Sequence, residues 1–323
     1  MSLLEVNDVK KIYQAKTMGK AYKLMAVNGV SFKIENGKCL GLVGESGCGK
    51  STLGRLITGL EPPTHGNVLF KNYPVKRRLS MGKKNKANLS KQIQMVFQDC
   101  FSAVNPRYTA AQVIEEPLVN FYNLSKLEIS DKITSLLQQV GLNPEDKNKY
   151  SRQFSGGQLQ RVCIARALAS DPKLIVLDEP LSSLDVSVQA QILNLLGDLK
   201  RQLDLSYILI SHDLEAVYYL SDEIAVMYGG RIMERICSIE LFDKMVHPYT
   251  LRLLSSTSAY IGKSKEVSGE PEDLTIDMGV QNQGYEGCPY AGRCGRVVEQ
   301  CKNHCPNIKE ISVGHFVACH LYQ

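Results

Sequence analysis

The sequence has no apolar run long enough to cross a bilayer. Its longest, such as LIVL at 174–177 and SYILI at 206–210, are strand-sized, far short of the roughly 20 residues that a spanning helix needs. An export signal is missing as well. The opening MSLLEVNDVKKIYQAK mixes acidic and basic residues and has no apolar stretch behind a basic start, so nothing directs export. Internal repeats and low-complexity tracts are absent, which argues against a solenoid or a fibrous chain. No nucleic-acid module is recognisable, and no aromatic residues interleave with the basic cluster VKRRLSMGKKNKANLSK at 75–91. Nucleic acid is therefore not an expected partner, and that cluster reads as a solvated loop with its lysines in water. What is present is ordinary for a folded chain. Hydrophobic residues make up 44% and charged residues 22%, with a net charge of +5, as in globular proteins. At 323 residues there is room for one large domain with a small appendage, or for two domains of usual size.

Local patterns suggest alternating strands and helices. VNGVSFKI alternates as a strand, ENGK turns, and CLGLVG at 39–44 is a buried strand running into glycine. STLGRLITGL then repeats at helical spacing, with Leu53, Leu56, Ile57 and Leu60 on one face. Strands are expected again at NVLF and at IQMVFQ, 93–98. From about 110 to 170 the pattern turns helical, which suggests a helical insert in an α/β domain. KLIVLDEP and SYILISHD, separated by the amphipathic SVQAQILNLLGDLKRQL, restore the rhythm of a parallel sheet. Residues 258–285 are poor in apolar side chains and read as a linker.

The chemistry is concentrated in three stretches. Gly44 to Ser51 read GESGCGKS, a full phosphate-loop match. Its glycines let backbone N–H groups close around phosphates at a helix N-terminus, Lys50 supplies charge for the outer phosphates, and the Ser51 hydroxyl can ligate Mg2+. LIVLDEP at 174–180 sets two acids at the end of an apolar strand, beside the phosphate loop in a parallel sheet. There Asp178 can hold Mg2+ through water while Glu179 polarises the attacking water. FSGGQLQR at 154–161 opens a helix with a serine and two glycines, a second anion-facing element that one nucleotide site in one chain does not need. A second chain would use it.

On these three motifs the chain resembles the ATP-binding subunits of ABC transporters, over about residues 3–235. The resemblance implies an α/β P-loop NTPase with a RecA-like core, an antiparallel β subdomain and a helical signature subdomain at about 99–168. It implies an ATP site in which Gly44, Glu45, Ser46, Gly47, Cys48, Gly49, Lys50, Ser51 and Thr52 of one subunit face Ser155, Gly156, Gly157 and Gln158 of another. Gln98 is similar to the lid-loop glutamine that senses Mg2+ and the membrane subunit, and Ser183, Leu184 and Asp185 to the D-loop that crosses the dimer interface. His212, 33 residues beyond Glu179, is similar to the switch histidine at the γ-phosphate, and Tyr13 stands where the family stacks an aromatic on adenine. Catalysis would then fall to Glu179, His212 and Gln98, with Mg2+ held by Ser51, Gln98 and Asp178.

FQDCFSAVNPRYT at 97–109, LSSLDVSVQAQILNLLGDL at 181–199 and HPYTLRLLSS at 247–256 are similar to the oligopeptide, dipeptide and nickel importer branch. That branch pairs two different ATPases with two transmembrane permease subunits and an extracytoplasmic substrate-binding protein, at the cytoplasmic face of the membrane. The spacing between Tyr13 and the AVNGVSF strand resembles the second ATPase of the pair. The expected divisions are an ATPase domain at 1–257, a linker at 258–285 and a cysteine-rich extension at 286–323. In that extension Cys288, Cys294, Cys301 and Cys319 follow the spacing C-x5-C-x6-C-x17-C, similar to the branch's C-terminal segment that can hold a 4Fe-4S cluster. Four thiolates also suit Zn2+, His304, His315 and His320 keep zinc open, and a tail without metal is a third reading. Cys305 is extra to the pattern. Cys48 at a helix N-terminus is either a thiol of lowered pKa or merely a small residue. Among the alternatives, soluble ABC proteins of the ribosomal type carry two cassettes and those of the repair type a long coiled coil, whereas 103 residues separate Ser51 from Ser155. Exporters often fuse membrane segments and lack this tail, and a metal-sensing tail as the principal function fits poorly with complete ATPase motifs. The cargo is not written in this chain; peptides lead, with nickel or another small solute behind.

Overall fold

A computed structural model describes residues 2–17, 20–75, 89–255 and 286–322. The expected linker and all but the ends of the basic cluster lie outside the described residues. β7 (Leu174–Asp178), β8 (Ser206–Ser211) and β9 (Glu223–Tyr228) are buried along their whole lengths. Strands covered on both faces read as continuous apolar runs, which is why LIVL and YILI do not alternate. With β3 (Cys39–Val43) and β6 (Ile93–Val96) they form a parallel sheet in the order β6-β7-β8-β3-β9. The order places the ends of β6, β7, β8 and β3 side by side, and loops after the carboxyl ends of such strands are where ligands bind in open α/β sheets.

The two faces of this sheet belong to different cores. On β8, Ile208 and Ile210 pack with α1 (Lys50–Thr58) and with a second, antiparallel sheet of β1 (Ser2–Thr17), β2 (Lys20–Glu35), β4 (His65–Phe70) and β5 (Tyr73–Pro74). Tyr207 and Leu209 face a helical core instead. α1 contributes Leu53, Leu56 and Ile57 as its spacing predicts, but Leu60 does not join them. The helix stops at Thr58, Gly59 caps it in the left-handed region at φ 70°, and Leu60 is turned out, 56% exposed. The helical core is built on α2 (Cys100–Ala103), α3 (Ala110–Phe121), α4 (Lys126–Gln139) and α5 (Gly156–Leu168), followed in the chain by α6 (Val186–Leu203), α7 (Leu214–Leu220) and α8 (Pro248–Ser255). Reciprocal capping boxes start three of them: Thr109 with Gln112, Ser125 with Glu128, and Ser155 with Gln158. No helix among the described residues is long and apolar enough to cross a membrane.

The C-terminal segment joins the main sheet rather than standing apart from it. β10 (Arg231–Ile236) runs antiparallel to β9, and β12 (His315–Val317) pairs with β10, with β11 (Lys309–Ser312) outside it; α9 (Glu299–Asn303) precedes them. The join is fixed by a buried carboxylate. Glu234 on β10 is fully buried and accepts from the N–H groups of Val246 (2.7 Å) and His247 (3.1 Å) and pairs with His315 Nε2 (2.7 Å). Buried charge persists only when satisfied in this way.

Candidate active site

Four of the expected ATP-site elements lie at the carboxyl ends of core strands. The phosphate loop follows β3, Gln98 follows β6, Asp178 ends β7 with Glu179 next to it, and His212 follows β8. The loop needs its glycines where backbone meets backbone: a Cβ at Gly49 (φ 107°) would lie 2.1 Å from the carbonyl oxygen of Ala26, whereas Gly47 (φ 79°) has nothing within 4 Å of such an atom and faces open space. Ser46 and Gly47 are exposed while Lys50 is buried. The Lys50 ammonium donates to the carbonyls of Gly44 (2.6 Å) and Glu45 (3.0 Å). Ser51 Oγ donates to Asp178 Oδ1 at 2.8 Å. Burial pushes the Asp178 carboxyl above the ordinary aspartate value, with the Ser51 bond opposing it. A Mg2+ ion placed between the hydroxyl and the carboxylate would reverse that shift.

The second acid gathers its own partners. Glu179 Oε2 accepts from Gln98 Nε2 at 3.1 Å and lies 3.4 Å from His212 Nδ1. Its backbone sits at φ 46°, the left-handed region that non-glycine residues rarely occupy. Strain of about 1–3 kcal/mol at such a position is kept where it aims a functional side chain. Tyr13 donates to Glu61 Oε2 at 2.6 Å and carries Lys11 Nζ 5.0 Å from its ring centroid. Burial, with Glu61 adding to it, raises its phenol.

The signature residues do not reach this site. Among the described residues no hydrogen bond or ion pair links 155–158 to 44–52. Ser155 and Gly156 are exposed at the start of α5, and a Cβ on Gly157 would press to 2.4 Å from Val188 Cγ1, so the signature packs against the start of α6 beside Leu184. Asp185, which caps α6 without a side-chain bond, is exposed too, and Val186 is 81% exposed. The exposed start of α5 thus lies beside the exposed residues Ser182, Ser183 and Asp185 that lead into α6.

One expectation from the cysteines is corrected. Cys48 is buried (2% exposed), and burial raises its thiol, with Lys50 opposing; the reactive reading fails because the helix N-terminus acts on a group that water does not reach. In the C-terminal segment Cys288, Cys301 and Cys319 are buried and Cys294 half-buried, yet among the described residues no group of three or more His, Cys, Asp or Glu side chains is placed to hold a metal ion. Two of the three histidines that kept zinc open are otherwise engaged: His315 is taken by Glu234, and His320 Nε2 is bonded to the His304 carbonyl (2.9 Å). Burial pushes Cys288 up to about 12, with Cys301, Cys305 and Cys319 adding to it, and Cys294 feels Cys301.

Two residues bearing on the loop were not found from the sequence. The hydroxyl of buried Tyr249 accepts the Glu45 N–H at 2.8 Å, and Arg293 pairs with the Glu45 carboxylate. Tyr249 lay inside the HPYT stretch, but the spacing carries no hint of a contact across 204 residues.

Comparison with known proteins agrees with this geometry. The ABC transporter family profile matches residues 27–182, and that of the oligopeptide/dipeptide transporter C-terminal region matches 233–301. The chain is 44% identical over 325 residues to the oligopeptide transport ATP-binding protein AppF of Bacillus subtilis, covering 99% of this chain and 98% of that one. It is 42% identical to the dipeptide transport ATP-binding protein DppF of Haemophilus influenzae, covering 98% and 96%. Among solved structures, a dimeric ATP-binding cassette in a post-hydrolysis state with ADP and Pi bound is similar at a TM-score of 0.64 and 28% identity, covering 72% of this chain and 97% of that one. The chain belongs to the ATP-binding subunits of ABC transporters, with the C-terminal region of the oligopeptide/dipeptide branch.

Proposed function

We propose that the chain is the ATP-hydrolysing subunit of a membrane importer for di- and oligopeptides. The observation that carries the reading is the convergence of Lys50, the Ser51–Asp178 pair and the Gln98–Glu179–His212 set on the ends of four adjacent strands. In this reading the phosphate loop cradles ATP, Ser51 and Asp178 hold Mg2+ with Gln98, and Glu179 orients and deprotonates the attacking water beside the γ-phosphate that His212 touches. Tyr13 packs on the adenine. Ser155, Gly156, Gly157, Gln158 and Asp185 complete the site of an opposing ATPase subunit, a paralogue in a heterodimer. The assembly sits on the cytoplasmic face of the membrane against two permease subunits fed by an extracytoplasmic substrate-binding protein. The proposed divisions are an ATPase domain at 1–257 with its helical part at about 99–168, a linker at 258–285 and a cysteine-rich extension at 286–323. In that extension Cys288, Cys294, Cys301 and Cys319 hold a 4Fe-4S cluster, a reading that rests on their spacing alone, since no metal-holding group is gathered among the described residues. Uptake of labelled di- and oligopeptides by vesicles carrying the assembled transporter tests the function. ATP-driven uptake lost in Lys50→Ala supports it; ATP-driven uptake of nickel chelates but not of peptides refutes the peptide reading. Iron and sulfide analysis of anaerobically purified protein tests the cluster, about four of each per chain being expected and zinc or no metal refuting it.

A further inference from the structure

The phosphate loop is held from outside by the far end of the chain. Arg293 lies in the short turn between Cys288 and Cys294, and its two terminal nitrogens donate to both oxygens of Glu45, Nη1 to Oε2 at 2.6 Å and Nη2 to Oε1 at 3.1 Å. Such a fork-to-fork pair fixes orientation as well as charge. Glu45 is held at its other two polar groups as well: its N–H donates to the Tyr249 hydroxyl and its carbonyl accepts from Lys50. The turn itself is seated by Tyr290, whose ring meets those of Tyr228 and Tyr249, each at 5.2 Å between centroids. One residue of the loop is therefore tied to the chain's own lysine, to α8 and to the C-terminal segment.

We propose that Arg293 is a positioning residue of the ATP site, which fixes Glu45 and neutralises its carboxylate so that the loop presents its N–H groups, and not a bare negative charge, to the triphosphate. Glu45 neighbours the residues that meet the phosphates, and an unpaired carboxylate there repels the ligand the loop is built to take. With Arg293 in place the carboxylate is paired through both oxygens. The C-terminal segment thereby takes part in nucleotide binding, although none of its residues belongs to the recognised ATP motifs. The ATP-site reading is checked separately, since Lys50→Ala must abolish nucleotide binding whether or not Arg293 matters.

The test is titration of the purified full chain with a fluorescent ATP analogue and Mg2+ at low and high salt. Arg293→Ala is expected to weaken binding about fivefold at low salt, with the difference shrinking as salt screens the exposed carboxylate. Arg293→Lys, which keeps the charge and loses the fork, should fall between the two. Adding Glu45→Gln to Arg293→Ala is expected to restore binding to within about twofold of the wild type, which a merely structural role of Arg293 does not explain. Lys302→Ala, in the same segment but paired with exposed Glu299 and away from Glu45, should change nothing. Unchanged affinity in Arg293→Ala, or a double variant as weak as Arg293→Ala alone, overturns the proposal. Should Arg293→Ala fail to fold, Arg293→Lys carries the test, alone and combined with Glu45→Gln: the single variant must bind more weakly than the wild type at low salt, and the combination must recover that loss to within about twofold of the wild type; any other result overturns it.

Discussion

Glu179 shows how much a single residue can carry. It leaves a fully buried strand, turns through φ 46° and ends with one carboxylate oxygen between Gln98 and His212. The acid pair was legible because LIVLDEP places it after an apolar strand, but the left-handed turn that aims Glu179 was not, since nothing in a one-dimensional pattern marks a strained glutamate. Asp178 makes a testable contrast with it. Its carboxyl is raised by burial, and Mg2+ requires the ionised form, so protons compete with the metal at higher pH than at an ordinary aspartate. Apparent Mg2+ affinity in the presence of ATP is expected to fall as pH drops toward that raised value, and Asp178→Asn should remove both the affinity and its pH dependence in a metal titration. Cys48 gives the opposite lesson. Its place at a helix N-terminus suggested a thiolate, but burial governs, and mass spectrometry after brief maleimide treatment should find exposed Cys237 modified well before Cys48.

At the level of elements, α5 was readable and the C-terminal strands were not. The sequence S-G-G-Q states its own cap: Ser155 accepts the Gln158 N–H at 3.3 Å and Gln158 Oε1 accepts the Ser155 N–H at 3.1 Å, a local device needing no distant partner. β11 and β12 are only four and three residues long, and what makes HFV a strand is its pairing with β10, some eighty residues earlier. Local patterns do not carry that information. The start of α5 also carries an expectation of its own. Ser155→Ala removes the cap and should lower stability by about 1 kcal/mol by denaturant unfolding. Gly157→Ala has less room, because its Cβ would stand 2.4 Å from Val188. It should displace the signature from the start of α6 and reduce ATP turnover of the assembled transporter more than it reduces ATP binding to this chain.

For the whole molecule, the join between core and C-terminal segment rests on Glu234 and the two histidines around it. His315→Ala leaves a fully buried carboxylate short of a partner and is expected to destabilise the fold by about 3 kcal/mol. His247 responds to pH. Burial holds its imidazole down at about 4, against the opposing pull of Glu234; the other groups facing it are His315, beyond that carboxylate, and the Tyr290 ring at 6.1 Å. Between about 4 and 6.5 the unfolded chain therefore binds a proton at this site that the folded chain does not. Stability is complete above the unfolded value and is lost as pH falls through that window, by up to about 3 kcal/mol. Thermal melts at pH 7 and pH 5 should show the loss, and His247→Gln should reduce it. The central claim, that these elements assemble an ATP-hydrolysing site with Glu179 as its base, is tested most directly by phosphate release from the assembled transporter carrying Glu179→Gln at saturating Mg-ATP. The result expected is a fall of about 100-fold or more in turnover at this chain's site with ATP binding retained; turnover equal to the wild type would contradict it.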